Sequence, residues 1–307
     1  MSNYNKKLLD HPKFYMTEFI KHQNEGTLLF IHGGPGYNCG VIEHLIEHDK
    51  LFTSLNYNIV LYDQRTCGRS TGFSDNVSHT DNIDDLEEIY QYLNKVKKIK
   101  IAGIIGHSYG AKLLFDFCNK FNHKTPCIFV STSKSILVPR LNNLIFDMVY
   151  LKKNHPEKYS KVLQEMNSVN LHKLWDLTEE LAEFSQENTD RHYLYWANLE
   201  CFNKCKQIQS EINLPVNAKT FMSVRKDLYS LNDNFSVNIS SLNIPYLWIN
   251  GFHDFIMNGT EGAFSTTENL ITFYKSAHYP HIEENHRFNE LVNDFISTIS
   301  VRDKKLK

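Results

Sequence analysis

The sequence has no apolar run approaching the roughly 20 residues that a helix needs to cross a bilayer. Its first residues, Met1-Ser2-Asn3-Tyr4-Asn5-Lys6-Lys7, are polar and lead into no apolar signal core, so a cytoplasmic location is expected. It lacks an excess of charge of either sign: the formal balance is −2, which leaves no electrostatic reason to expect nucleic acid or an anionic membrane as a partner. Cysteine is sparse. Six residues, at 39, 67, 118, 127, 201 and 205, form neither a C-x-x-C pair nor a disulfide framework, and Cys201 and Cys205, one helical turn apart, are expected to pack rather than to bind metal. Fifteen histidines are present, yet His-Glu-x-x-His is absent, and no Gly-Lys-Ser/Thr follows the glycine loop as Walker-type phosphate binding would require. No metal or cofactor is expected. Internal repeats and low-complexity linkers are missing as well.

What remains is an ordinary globular composition, 41% hydrophobic and 22% charged over 307 residues, enough for one large α/β domain with an insertion. Short apolar runs that read as strands lie at 13–20, 27–31, 58–62, 98–105, 127–130, 246–250 and 270–274. Amphipathic stretches alternate with them. One spans 83–96 with Leu86, Ile89, Tyr90 and Leu93 in its stripe, and a closing one carries Phe288, Leu291, Val292, Phe295 and Ile296. Continuous apolar strands between amphipathic helices imply a mostly parallel sheet covered on both faces. From about residue 134 to 235 the rhythm changes: the chain turns helical in character and aromatic, with Tyr150, Trp175, Phe184, Tyr193, Tyr195, Trp196 and Phe202. The expected organisation is therefore a sheet domain from 1–133 and 236–307 with a helical cap inserted at 134–235. The tail, Arg302 to Lys307, is expected to be solvated.

The most informative stretch is Gly106-His107-Ser108-Tyr109-Gly110, between an apolar strand and an amphipathic helix. Strand, sharp turn and helix form the setting of a G-x-S-x-G nucleophile elbow, which lifts a serine hydroxyl above the sheet at the positive end of a helix. A serine needs a base, and the base needs a carboxylate to fix its tautomer. Asp254 and His278 each follow a strand, and the order 108, 254, 278 fits a Ser-Asp-His triad. His278 is preferred to His281 because it comes first after its strand. His107 and His253 are expected to line or pack the site, and Asp63 to hydrogen-bond the 64–70 loop. An oxyanion needs preorganised N–H donors. The amide of Tyr109 is one candidate; the other comes from His32-Gly33-Gly34-Pro35-Gly36, with Gly34 chosen and its neighbour Gly33 left open.

At this point a resemblance enters. The chain resembles the α/β hydrolases, and within them the proline iminopeptidase (prolyl aminopeptidase) family of serine peptidases. His32-Gly33-Gly34-Pro35-Gly36 matches that family's glycine-loop signature, and Asp63-Gln64-Arg65-x-x-Gly68-Arg69-Ser70 its second signature. Ser-Ala-His-Tyr-Pro-His-Ile-Glu-Glu, 276–284, is similar to the segment around the family's catalytic histidine. The resemblance covers about two thirds of the chain and implies an α/β-hydrolase fold. It also implies that Trp196-Ala197-Asn198-Leu199-Glu200 carries a substrate-binding element, with Glu200 holding the substrate's free amine. Two departures stand out: Thr66 where the family usually has glycine, and no counterpart of a second amine-binding glutamate, near which this chain offers Asp227. The expected activity is release of N-terminal residues, preferably proline, from short peptides. An esterase or lactonase on the same triad is the alternative, and a fold that only binds a small ligand is a third reading.

Overall fold

Eight strands make one sheet in the order β1-β2-β4-β3-β5-β6-β7-β8. They are β1 (Tyr4–Leu9), β2 (Met16–Lys21), β3 (Thr27–Ile31), β4 (Asn58–Tyr62), β5 (Ile101–His107), β6 (Cys127–Val130), β7 (Tyr246–Gly251) and β8 (Leu270–Phe273). β2 pairs antiparallel with β1 and with β4, and the remaining pairs are parallel. The computed structural model describes residues 3–74, 76–133, 137–166, 187–230, 239–258 and 270–305, with Leu177 and Leu181. Trp175 and Phe184, named above as cap aromatics, lie outside the described residues, as do 231–235 of the expected insertion and the last two residues of the tail.

Strand periodicity divides the core into two layers. Leu29, Ile31, Val60, Tyr62, Ile104 and Phe129 face one way and meet Leu86 and Ile89 of α2 (His79–Gln91) and Leu113, Leu114 and Phe117 of α3 (Tyr109–Phe121). Leu28, Phe30, Ile59, Leu61, Ile105 and Ile128 face the other way, onto Ile42, Leu45 and Ile46 of α1 (Gly40–His48) and Phe288, Val292 and Ile296 of the closing helix, Asn285–Lys305. Each fully buried leucine or isoleucine in these layers contributes about 1.5–3 kcal/mol. Burial on both faces is why these strands read as unbroken apolar runs.

The described elements between β6 and β7 are helical: α4 (Leu137–Asn154), α5 (Pro156–Met166), a 3-10 turn at Thr189–Leu194, α6 (Leu199–Ile212) and α7 (Ala218–Ser230). Among the described residues they share an apolar cluster of Leu144, Met148, Leu151, Val162, Leu177 and Leu181, while Val224 of α7 joins the first sheet layer and Cys205 and Ile208 of α6 the second. Short helices α8 (Phe255–Asn258) and α9 (Pro280–Glu283) follow β7 and β8, so the closing helix is α10.

Four local outcomes differ from the sequence expectation. The opening strand is not the one at 13–20 but the edge strand β1, in which Asn5, Lys6, Lys7 and Leu8 are exposed between buried Tyr4 and Leu9. The strand expected at 13–20 lies at Met16–Lys21. Helix α2 starts at His79 because Ser78 and Asp81 form a reciprocal capping box: the Asp81 N–H donates to Ser78 Oγ at 3.0 Å, and the Ser78 N–H to Asp81 Oδ2 at 2.9 Å. The helical tail runs to Lys305.

Candidate active site

Strand β3 lies between β4 and β5, so the chain leaves it first to one side and later to the other. A sheet opens a crevice at such a switch point, beyond the carboxyl ends of its strands. The glycine loop follows β3, and Ser108 follows β5. Ser108 adopts φ 54° and ψ −118°, a backbone state that costs about 1–3 kcal/mol and persists where the surroundings enforce it. Here they do: the Ser108 N–H donates to Val130 O at 2.9 Å, while the N–H groups of Ala111 and Lys112 donate to Ser108 O. Gly110 lets α3 approach β3, since a Cβ there would lie 2.4 Å from Ile31 O. The glycine loop passes directly beside the serine: a Cβ on Gly33 would come within 3.1 Å of Ser108 Cβ. Gly34 follows with φ +130°.

Asp254 and His278 meet from the ends of β7 and β8. Their Oδ2–Nδ1 distance is 2.9 Å, and both are buried. Asp254 is fully enclosed, and its other oxygen accepts the Met257 N–H at 3.1 Å. A carboxylate at Nδ1 places the ring proton there and leaves Nε2 as the acceptor. The main chain of His278 is held on both sides. Its N–H donates to Tyr195 O at 3.0 Å, and its carbonyl accepts from His107 Nε2 at 2.8 Å. The Tyr195 ring meets His278 edge-on, 5.5 Å between centroids.

His281 has no part in that hydrogen bond. It is wholly buried among Phe30, Phe52, Phe288 and His107, and neither ring nitrogen has a hydrogen-bond partner among the described residues. Burial, and then the neighbouring His278, push its pKa down to about 3. His107 is pushed down as well, by burial first and then by His281 and His278. Asp63 accepts from Cys39 N, Arg69 N and Arg69 Nε at 2.8–2.9 Å and so organises the 64–70 loop. His32, Cys39 and Asp63 bring potential metal-ligating atoms within 4.8 Å of one another. Each is already engaged: His32 Nε2 accepts the Gln64 N–H, Cys39 Sγ donates to Tyr62 O, and Asp63 is bound as above.

Ser108, His278, Gly33, Gly34, Tyr109 and Trp196 all line one cavity of about 820 Å³. Trp196 stacks on Tyr279 at 4.2 Å between centroids and 17° between planes. Glu200, the expected amine anchor, is not brought there. It lies exposed in the first turn of α6, where the Asn198 side chain caps the helix by accepting the N–H groups of Glu200 and Cys201 at 2.9 and 3.1 Å. Asp227 is also elsewhere, accepting the His79 N–H at 2.7 Å at the start of α2. Among the described residues that line the cavity the one carboxylate is Asp147, whose two oxygens accept from Arg191 Nη1 at 2.6 and 2.8 Å. Arg191 also donates to Asn143 at 2.6 Å. The pairing of Asp147 with Arg191, and the carboxylate of Glu283 described below, escape sequence reading. No strand end or motif marks the first, although the second stands inside the 276–284 segment.

A strained serine on a strand-to-helix turn, with a carboxylate-bound histidine over the same cavity, belongs to a known architecture. The alpha/beta hydrolase fold family model matches residues 26–285, and the chain belongs to that family. Within it, the chain is similar to a proline iminopeptidase of Saccharolobus solfataricus, 28% identical over 161 residues. That match spans 51% of this chain and 47% of the relative, about half of its length. It is 23% identical to a proline iminopeptidase of Heyndrickxia coagulans over 92% of this chain and 94% of the other. Among solved structures, a proline iminopeptidase of Mycobacterium smegmatis superposes with a TM-score of 0.60 at 14% identity, covering 97% of this chain and all of that one. An esterase from Exiguobacterium antarcticum superposes with a TM-score of 0.55 at 17% identity over 97% and 100% of the two chains. The protein is thus an alpha/beta hydrolase with proline iminopeptidases among its relatives. No helix among the described residues is long and apolar enough to cross a membrane.

Proposed function

We propose that the chain is a serine hydrolase working through an acyl-enzyme. Ser108 Oγ attacks a substrate carbonyl, and His278 Nε2 takes its proton. The amides of Tyr109 and Gly34 hold the oxyanion. His278 then returns the proton to the leaving group, and water repeats the sequence to free the acyl group. Asp254 keeps His278 in the tautomer this requires. The observation that carries the reading is the buried 2.9 Å Asp254–His278 hydrogen bond above the cavity that also holds Ser108. The chemistry needs no cofactor. The helical segment between β6 and β7 serves as a cap that limits substrates to small ones, with Trp196 in its wall.

The substrate read first is a short peptide that loses its N-terminal residue, preferably proline. Two relatives, both proline iminopeptidases, support that reading. A second reading, an esterase or lactonase on small acyl esters, is favoured by one observation: Glu200 stays outside the cavity, and Asp147 within it is bound by Arg191. Labelling by a fluorophosphonate probe that is lost in Ser108→Ala tests the mechanism; labelling that survives the substitution defeats it. Parallel assays with a prolyl anilide and short-chain esters decide the substrate. Turnover of esters without any of the anilide removes the peptidase reading and leaves the mechanism intact.

A further inference from the structure

Glu283, the last residue of α9 and five positions after His278, belongs to neither the proposed triad nor the cavity wall. Its carboxylate nonetheless joins two parts of the chain that are distant in sequence. Oε1 accepts the N–H groups of Ala197 and Asn198, both at 2.8 Å, and Oε2 accepts the Ala277 N–H at 2.8 Å. The neighbouring contacts repeat the pairing. The His278 N–H reaches Tyr195 O at 3.0 Å, and the ring of Tyr279 stacks on Trp196. Three consecutive residues, 277 to 279, are thus fastened to 195–198, and Glu283 is tied back to Tyr279 by its own N–H at 2.9 Å. Hydrogen bonds to an ionised acceptor are about twice as strong as neutral ones, and here two N–H groups converge on one carboxylate oxygen. Burial raises the pKa of this carboxyl, and the N–H donors of Ala277, Asn198, Ala197 and Tyr279 oppose that rise.

We propose that Glu283 is a positioning residue: its carboxylate locks the wall segment 195–198 to the loop that carries His278, so that the part of the cavity seating the substrate and the part moving the proton shift as one body. The proposal rests on the reading of His278 as the general base. A displacement of the histidine loop by a fraction of an ångström changes how Nε2 faces the serine hydroxyl, while the Asp254 hydrogen bond alone fixes only the far side of the ring.

Glu283→Gln tests this, because an amide has one acceptor oxygen and can serve only one of the two sides. On whichever substrate the parallel assays identify, kcat per labelled serine is expected to fall about 10- to 100-fold, as misplacement of a base does, with KM moving less than about threefold. Amide hydrogen exchange is expected to rise in both 195–199 and 275–279. A folded variant with the wild-type kcat, or with exchange raised on one segment alone, overturns the proposal. If the variant does not fold, the wild-type protein carries the test: exchange in the two segments is compared before and after fluorophosphonate labelling. A common change in both supports the lock, and a change confined to one refutes it. Ser108→Ala separates the two levels. Labelling that survives in Ser108→Ala brings down the serine mechanism, whereas labelling lost there but proceeding at the wild-type rate in Glu283→Gln brings down only the role of Glu283.

Discussion

The sheet and the helical segment inserted between β6 and β7 place their charged groups in opposite ways. In the sheet domain, Asp254 and Asp63 are fully enclosed, and every contact described for them serves a neighbouring loop or the candidate base. The helical segment adds Val224 to one apolar layer of the sheet and Cys205 and Ile208 to the other, and among its described residues the charged groups bridge joints: Arg191 with Asp147 and Asn143 inside it, and Asp227, with Glu283 of α9, where it meets the rest of the chain. The difference separates two tasks. On the proposed reading, groups whose geometry must be exact hang from strand ends backed by two apolar layers, and groups that select the substrate hang from the helices beyond those ends. If the proposed reading is right, substitutions at the strand ends abolish turnover, and substitutions in the helical segment shift substrate preference.

The largest effect tests the first half of that contrast. Ser108→Ala is expected to lower kcat by about a millionfold, the scale on which a lone nucleophile is lost from a serine triad, with no change in the unfolding midpoint beyond that of a small substitution. Residual turnover within about a hundredfold of the wild type would show that another group attacks the substrate. Next comes Asp254→Asn, which keeps the size of the side chain but no longer favours the proton on Nδ1 of His278; a fall in kcat of about ten-thousandfold is expected. Recovery of the lost rate at alkaline pH would agree with a wrong tautomer. An unaffected kcat would mean that the buried pair is structural.

How far the sequence disclosed these features depended on which physical signal each carries. Strands β3 to β7 were legible as apolar runs because both faces of each are covered, whereas β1 was not, since four of its six residues face solvent and only Tyr4 and Leu9 are buried. His278 and Asp254 were legible from their place just beyond a strand, which the sheet then converts into proximity. The place of Glu200 was not legible, for the converse reason. The Trp196–Glu200 stretch matches a motif by its letters, but Asn198 starts a helix there and leaves Glu200 on the solvent side. Glu283 had no signal at all toward residues 197 and 198, because its partners are backbone N–H groups whose identity no side chain reveals.

A smaller effect probes how tightly the sheet side of the site is closed. His281 is buried with both nitrogens unpartnered among the described residues, and its folded-state pKa of about 3 lies below the ordinary 6.5. The depressed value means that the unfolded chain takes up the proton first. His281 therefore carries no penalty above pH about 6.5, and stability falls as the pH drops from there toward about 3, by at most about 1.4 kcal/mol per pH unit. His107, facing it at 4.7 Å between ring centroids, is depressed too and keeps part of the acid sensitivity. His281→Phe, set among Phe30, Phe52 and Phe288, is expected to make the fall in urea midpoint between pH 7 and pH 5 shallower. Parallel curves for the two proteins would mean that water or a proton reaches this ring in the folded state.

The smallest expected effect is the most informative about the helical segment. Glu200 is exposed at the start of α6, outside the lining of the cavity, and its main chain is committed to the cap formed by Asn198. Removing its charge by Glu200→Gln should therefore change kcat/KM for a prolyl anilide by less than about twofold, the size expected for an isolated solvated carboxylate. The same variant assayed on a short-chain ester should show no difference either, because neither substrate meets the side chain. A rise in KM of about tenfold or more confined to the substrate with a free amine would have a definite physical meaning, since that selectivity is the signature of an ammonium held by a carboxylate. It would require the first turn of α6 to swing toward Trp196 when substrate binds. Glu200 would then be the residue of the helical segment that reads the amine, and the peptidase reading would gain over the esterase one.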